Sequence, residues 1–113
     1  MRIGDLAAAT GASTRSLRYY EEQSLLASER SPSGQRHYPE SAVERVTLIQ
    51  SLLAAGLSSS TIHDVLPCIT DTAIRTPWLA ERLRSELDRV EHQIDSLNQA
   101  REILADLVKQ YAV

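Results

Sequence analysis

Cysteine is almost absent: Cys68 stands alone, so neither an intrachain disulfide nor a thiolate-only metal site can form within one subunit. Long apolar runs are missing as well. No stretch nears the roughly 18 continuous apolar residues of a membrane helix, and the N-terminus lacks the basic region and apolar run of a secretory signal, so the expected location is the cytoplasm. Catalytic patterns are missing too. The chain has no paired carboxylates in a glycine-framed site, no Ser-His-Asp arrangement, no phosphate loop and no zinc motif, and His37, His63 and His92 share no ligand spacing. Neither catalysis nor a metal nor a cofactor is expected.

A surplus of basic charge is the last absence. The net charge of −3 argues on its face against nucleic acid, because basic proteins are the ones drawn to phosphate without help. The average conceals two unlike halves. Residues 1–38 hold five arginines (Arg2, Arg15, Arg18, Arg30, Arg36) against four acids (Asp5, Glu21, Glu22, Glu29), whereas residues 76–113 hold seven acids against five bases. A chain of 113 residues, 42% of them apolar, suffices for one compact domain with an appended element.

Residues 2–10 place Ile3, Leu6 and Ala7 or Ala9 at helical spacing and stop at Gly11, a residue suited to the left-handed turn that ends a helix. Ser13 or Thr14 then caps a second helix that runs through Leu17, Arg18, Tyr19 and Tyr20 to about Gln23. Two short helices joined by a glycine turn form a helix-turn-helix candidate. In the following Arg30-Ser31-Pro32-Ser33-Gly34-Gln35-Arg36-His37-Tyr38, Pro32 and Gly34 dictate a tight turn, which predicts a small two-stranded wing. Pro39 suits the first turn of a third helix, buried through Val43, Val46, Leu48, Ile49, Leu52 and Leu53 and closed by Gly56.

Ser58 to Ser60 offer caps for a fourth helix through Ile62, Val65 and Leu66, which Pro67 is expected to end, and residues 68–76 read as a loop. Pro77 opens a last helix free of glycine and proline. Its Leu83, Leu87, Val90, Ile94, Leu97, Leu104, Val108 and Tyr111 follow an alternating 4-3 spacing broken only by Arg101, the heptad pattern of a coiled coil. One helix cannot bury such a seam alone, so the expected partner is a second copy, a homodimer joined through these eight residues.

The wording of the chain adds to its pattern. Ile3-Gly4-Asp5-Leu6-Ala7, Gly11, Ser13-Thr14-Arg15-Ser16-Leu17-Arg18-Tyr19-Tyr20-Glu21-Glu22 and Leu25-Leu26 closely resemble the N-terminal domain of the MerR family of bacterial transcription regulators, as does the wing from Arg30 to Tyr38. The specific part is Leu-Arg-Tyr-Tyr-Glu followed by Arg36-His37-Tyr38, and the likeness continues through the helix from Pro39 and the Gly56-Leu57-Ser58 turn. The terminal helix has the placement of the family's antiparallel dimer helix. The resemblance implies a mainly α fold: a winged helix-turn-helix DNA-binding domain with its linker over 1–75, then a dimerisation helix over 76–113. It implies a homodimer on a pseudo-palindromic promoter site, which it bends and untwists so that RNA polymerase can start. A short member without the large C-terminal effector domain of drug-binding relatives is expected, with its input signal, small molecule or other, unassigned.

By that likeness Thr14, Arg15, Arg18 and Tyr19 are DNA contacts on the recognition helix, arginine reading guanine edges and hydroxyls reaching phosphate. The plain alternative makes the arginines solvated helix charges and the tyrosines core. Tyr20 keeps both readings, DNA contact or core residue with its hydroxyl at the surface. Arg36 and Tyr38 alternate with His37 and so share one side of a strand, as backbone-contacting residues should. Arg30 is a weaker candidate, since Glu29 and Glu40 compete for it. Gly34 either shapes the turn or lets a phosphate approach closely, and Ser58 either donates to phosphate from a helix start or only caps.

Cys68, with His63, Asp64 and Asp71 nearby in sequence, invites a metal or redox sensor. Metal-sensing members of the family carry cysteines at the start of the dimer helix or in a loop after it, so a small buried apolar residue is the simpler reading of Cys68. Trp78 either caps a groove beside the partner's DNA-binding domain or packs against that domain. The rival function is a protein-binding adaptor working through the acidic coiled coil, and Arg15, Arg18, Arg36 and Tyr38 speak against it.

Overall fold

The structure, a computed structural model, describes residues 1–113. Its elements follow from local chemistry at their ends. Helix α1 spans Ile3–Thr10, and the backbone N–H of Arg2 donates to Asp5 Oδ2 at 3.0 Å, which satisfies one donor at the helix start. Gly11 closes it at φ 74°, its N–H donating to the Ala7 carbonyl at 2.9 Å. Helix α2 spans Thr14–Glu22 and is capped by Ser13, whose hydroxyl accepts from the Ser16 N–H at 3.0 Å. The three-residue turn between the helices needs no other device.

Beyond α2 the chain takes a left-handed step at Ser24 (φ 58°), which carries Leu25 and Leu26 into the core. Strands β1 (Glu29–Arg30) and β2 (Arg36–His37) pair antiparallel, Glu29 opposite His37 and Arg30 opposite Arg36. Their turn is closed by the Gly34 N–H donating to the Ser31 carbonyl at 2.8 Å, with Gly34 at φ 84°. Tyr38, just past β2, exchanges two backbone hydrogen bonds with Met1, at 2.7 and 2.9 Å, so the wing is sewn to the start of the chain.

Helix α3 spans Ala42–Ala54 rather than beginning at Pro39, because residues 39–41 form a turn in which the Ala42 N–H donates to the Pro39 carbonyl at 2.9 Å. Its buried residues are Ala42, Val46 and Ile49. Helix α4 spans Ser59–Thr70 and corrects the expectation that Pro67 ends it. Pro67 lacks an N–H and so forfeits the bond to the carbonyl of His63. His63 is solvent-exposed, so water can satisfy that carbonyl while Leu66, Val65 and Ile62 stay buried and hold the helix in place. The chain then closes with a 3₁₀ turn at Thr72–Ile74 where a plain loop was expected, the Ala73 N–H donating to Asp71 Oδ1 at 2.9 Å.

Two compact units result, Met1–Ile74 and Arg75–Val113. In the first, α1 packs on α2 and α3, and α3 on α4, around a core of Leu6, Leu17, Leu25, Val46, Ile49, Ile62 and Val65. Gln50 on α3 also donates to the Thr10 carbonyl at 3.3 Å, and Arg45 Nε donates to the Leu25 carbonyl at 2.8 Å from a partly buried position that lowers its pKa. The second unit is helix α5, Pro77–Tyr111, 35 residues long, with Thr76 as its cap and Pro77 in its first turn. On its polar side Glu86 is gripped by Arg82 at 3.1 Å and Arg89 at 3.0 Å, one turn before and after it. No helix of the chain is long and apolar enough to cross a membrane.

Candidate nucleic-acid interface

Two apolar residues decide which side of α2 faces outward. Leu17 is fully buried and Tyr20 nearly so, which fixes the inner face and turns Arg15, Arg18 and Tyr19 to solvent. No carboxylate pairs with Arg15 or Arg18. Thr14, in the first turn, is half-buried. Tyr19 keeps 45% of its surface exposed, and its hydroxyl shares a hydrogen bond with Ser59 Oγ at 3.0 Å. That bond brings the start of α4 beside the outer face of α2. The sequence offered Ser59 only as a possible cap and not as a neighbour of Tyr19, since nothing in it relates positions 40 apart.

Ser58 itself is a cap. Its hydroxyl accepts from the Thr61 N–H at 3.2 Å and donates to Thr61 Oγ1 at 3.0 Å, so its side chain is engaged within the protein. With the Thr61 N–H so occupied, the first-turn N–H groups of Ser59 and Ser60 carry the partial positive charge of a helix start, which favours an anion. Gly34 is exposed at the wing tip with open space where a Cβ would stand, so its left-handed φ, not close approach by another group, accounts for glycine there.

Arg36, on β2, and Tyr38, just past it, both reach Glu21, but they meet the protein differently. Arg36 is half-exposed and lies with Arg18, Glu21 and Glu22 around a hollow of about 500 Å³, which joins the wing to the outer face of α2. Tyr38 is 2% exposed and belongs to the core. A surface contact through its ring is therefore excluded, and the reason is Glu21, a residue the sequence offered only as part of a motif. Glu21 Oε1 accepts from the Tyr38 hydroxyl, and Glu21 Oε2 accepts from Ser28 Oγ at 3.1 Å and lies 3.8 Å from Arg36 Nη1. Burial, then the hydrogen bond and charge of Glu21, push the Tyr38 phenol up from 10.0 to about 12, against smaller opposing effects of Arg36 and Arg18. Tyr38 is thus a neutral donor that ties the wing to the end of α2.

Cys68 is half-buried on α4. Of the side chains near it in sequence, His63 lies 3.8 Å from Asp64, and Asp71 is occupied with the Ala73 N–H. No group of three or more His, Cys, Asp or Glu side chains gathers anywhere in the chain. Trp78, in the first turn of α5, is 41% exposed. On α5 the large heptad residues Leu83, Leu87, Ile94, Leu97, Leu104, Val108 and Tyr111 are 38 to 72% exposed, with Val90 half-buried. Ile103 and Leu107 are exposed beside them, widening the stripe toward the C-terminus beyond what the 4-3 count marked.

The chain is 37% identical over 107 residues to the nodulation protein NolA of Bradyrhizobium elkanii, an alignment covering 94% of this chain and 46% of that protein. It thus spans less than half the length of this curated relative. Its fold is shared with the transcription regulator PbrR691 of Ralstonia metallidurans CH34, solved with lead(II), at a TM-score of 0.81 and 23% identity over 96% of this chain and 85% of that one. HiNmlR, a MerR family regulator lacking the sensor domain and solved bound to promoter DNA, matches at a TM-score of 0.67 and 23% identity, covering 97% and 88% of the two chains. Residues 1–68 match the MerR HTH family of regulatory proteins, and with more than half its length so matched the chain belongs to that family.

Proposed function

We propose that this chain is a sequence-specific DNA-binding transcription regulator, working as a homodimer in the cytoplasm and not as an enzyme. The observation that carries the reading is the outer face of α2: Arg15 and Arg18 stand exposed and unpaired beside Tyr19, while Leu17 and Tyr20 pin the same helix to the core. Such a helix is presented to a partner, and the partner suited to two arginines with a flanking wing arginine is a duplex. Arg15 and Arg18 reach base edges in a major groove, and Thr14, Tyr19 and the start of α4 meet phosphates. Arg36 extends the contact along the backbone from the wing. Tyr38 and Tyr20 serve from inside, by holding these elements at their angle.

Dimerisation falls to α5. Its apolar stripe from Leu83 to Tyr111 is covered by the same stripe of a second copy in an antiparallel coiled coil, which places two α2 helices on two half-sites. Bending or untwisting a promoter whose half-sites the dimer does not match at rest is how it acts on RNA polymerase. The acidic balance of α5 keeps this part of the molecule off the phosphates.

Purified protein titrated on the DNA upstream of its own reading frame, with footprinting across a salt series, tests the reading. A protected site of approximate two-fold symmetry, hypersensitive at its centre, with affinity falling steeply with salt, is the expected result. Absence of binding to any duplex at low salt would replace the regulator by a protein-binding adaptor acting through α5.

A further inference from the structure

Glu21 lies between the arginines of the proposed interface. It lines the same hollow as Arg18 and Arg36, and no other carboxylate pairs with Arg36. Two of its three partners, Tyr38 and Ser28, hold it without help from Arg36. Arg36 is the loose member: its pair is 3.8 Å long and its side chain is 45% exposed, a geometry that leaves the ion pair weak and exchangeable. An arginine in this position does not meet DNA as a vacant cation. Its contact with a phosphate is an exchange of one anion for another.

We propose that in the free protein Glu21 stands in for a DNA phosphate on Arg36, so that the wing arginine is released only to a phosphate held in register by the rest of the interface. The proposal rests on the DNA-binding reading above and adds a specificity-determining residue to it. A phosphate accepts from the guanidinium fork through two oxygens at close range, which a carboxylate at 3.8 Å does not match. On a cognate site the exchange is favourable. On a random duplex, where the dimer is poorly seated, Arg36 stays with Glu21 and contributes nothing, which lowers non-specific affinity. Glu21 remains fixed by Tyr38 and Ser28 throughout, so the exchange leaves the wing in place.

The test compares a random-sequence duplex with the tightest duplex selected from a random pool, reading affinity across a salt series. Glu21→Gln keeps an acceptor for Tyr38 and removes the charge. It should tighten random-duplex binding roughly three- to tenfold and steepen that slope of log K against log salt by about 0.9, one additional phosphate, leaving the slope on the selected duplex unchanged. Glu22→Gln, the neighbouring acid on the same hollow, measures the general effect of losing a negative charge, and Arg36→Ala should abolish the gain from Glu21→Gln. Independently of any change at Glu21, Arg36→Ala alone should flatten the slope on the selected duplex by about 0.9 and leave the random-duplex slope as it was.

Equal gains from Glu21→Gln and Glu22→Gln, a gain that survives Arg36→Ala, or an Arg36→Ala protein with both slopes flattened alike each overturns the proposal. So does weaker binding to both duplexes by a Glu21→Gln protein of unchanged helicity, which would make Glu21 purely structural. Failure of the unmutated protein to bind any duplex is a different result, because it removes the DNA-binding reading itself.

Discussion

Leu17 and Leu97 are the same residue on two helices of one chain, and they meet opposite fates: Leu17 exposes none of its surface and Leu97 exposes 70%. The difference runs through the whole molecule. Met1–Ile74 buries most of its large aliphatic side chains within itself, whereas Arg75–Val113 is a helix that leaves most of them in water. Apolar surface is driven out of water wherever a neighbour is available, so a helix of 35 residues with a stripe interrupted only at Arg101 is one partner short. The first unit is complete as a fold and incomplete as a binding surface. For the second it is the fold that waits on a partner.

The largest expected effect breaks that contrast at α5. Ile94→Asp puts a carboxylate into the seam of both copies and should weaken dimerisation by roughly 3 to 6 kcal/mol, two lost side-chain burials per dimer. Sedimentation should show monomers, with the melting temperature no longer rising with protein concentration. A mutant that remains dimeric would show that the stripe has another purpose. The second effect lies in the complete unit: Leu17→Ala should cost about 2 to 5 kcal/mol in denaturant unfolding, because it empties a site beneath the recognition helix. If Leu97→Ala in dilute, monomeric protein costs as much, the two units do not differ as described.

The legibility of the chain divides along similar lines. Much that depends on residues close in sequence was readable: Gly11 ends α1, Ser13 caps α2, the Ser31 to Gly34 turn makes the wing, and heptad spacing marks α5. Pro67 defeated a local rule, since tertiary burial of Leu66 and Val65 outweighs the one hydrogen bond it forfeits to His63, an exposed residue. The interface was half readable. Exposed Arg15 and Arg18 follow from helical period, but no period tells that the chain at Tyr38, just past the wing, comes back to Glu21, 17 residues earlier, or that Tyr19 reaches Ser59. Strand alternation groups Arg36 with Tyr38, yet β2 ends at His37, and of the two Arg36 faces solvent and Tyr38 the core.

Arg18→Ala sharpens the functional half of the comparison. It alters no core contact and, if Arg18 reads a base edge, should weaken binding to the cognate site by about 1 to 3 kcal/mol while changing unfolding stability little. Binding assays on cognate and single-base variant duplexes should show relaxed discrimination at one position in each half-site. Uniform weakening across all sequences would make Arg18 a phosphate contact.

The smallest effect concerns Tyr38, where fold and interface meet. Its phenol has a pKa of about 12 in the folded protein against an ordinary 10.0, because burial and Glu21 oppose its ionisation. Below pH 10 the group is protonated in folded and unfolded chains alike, and its contribution to stability is fully present. As pH rises from about 10 toward 12 the unfolded chain gives up this proton while the folded one keeps it, so stability falls through that window. Tyr38→Phe lacks the ionisation and the bond to Glu21, and should be less stable than the unmutated protein at neutral pH. The gap between them should then narrow above pH 10, the remaining tyrosines being common to both. Urea unfolding of the two proteins at a series of pH values reads this directly. A gap that stays constant would mean that Tyr38 ionises alike in both states, and that the tie between wing and recognition helix is not shielded from water.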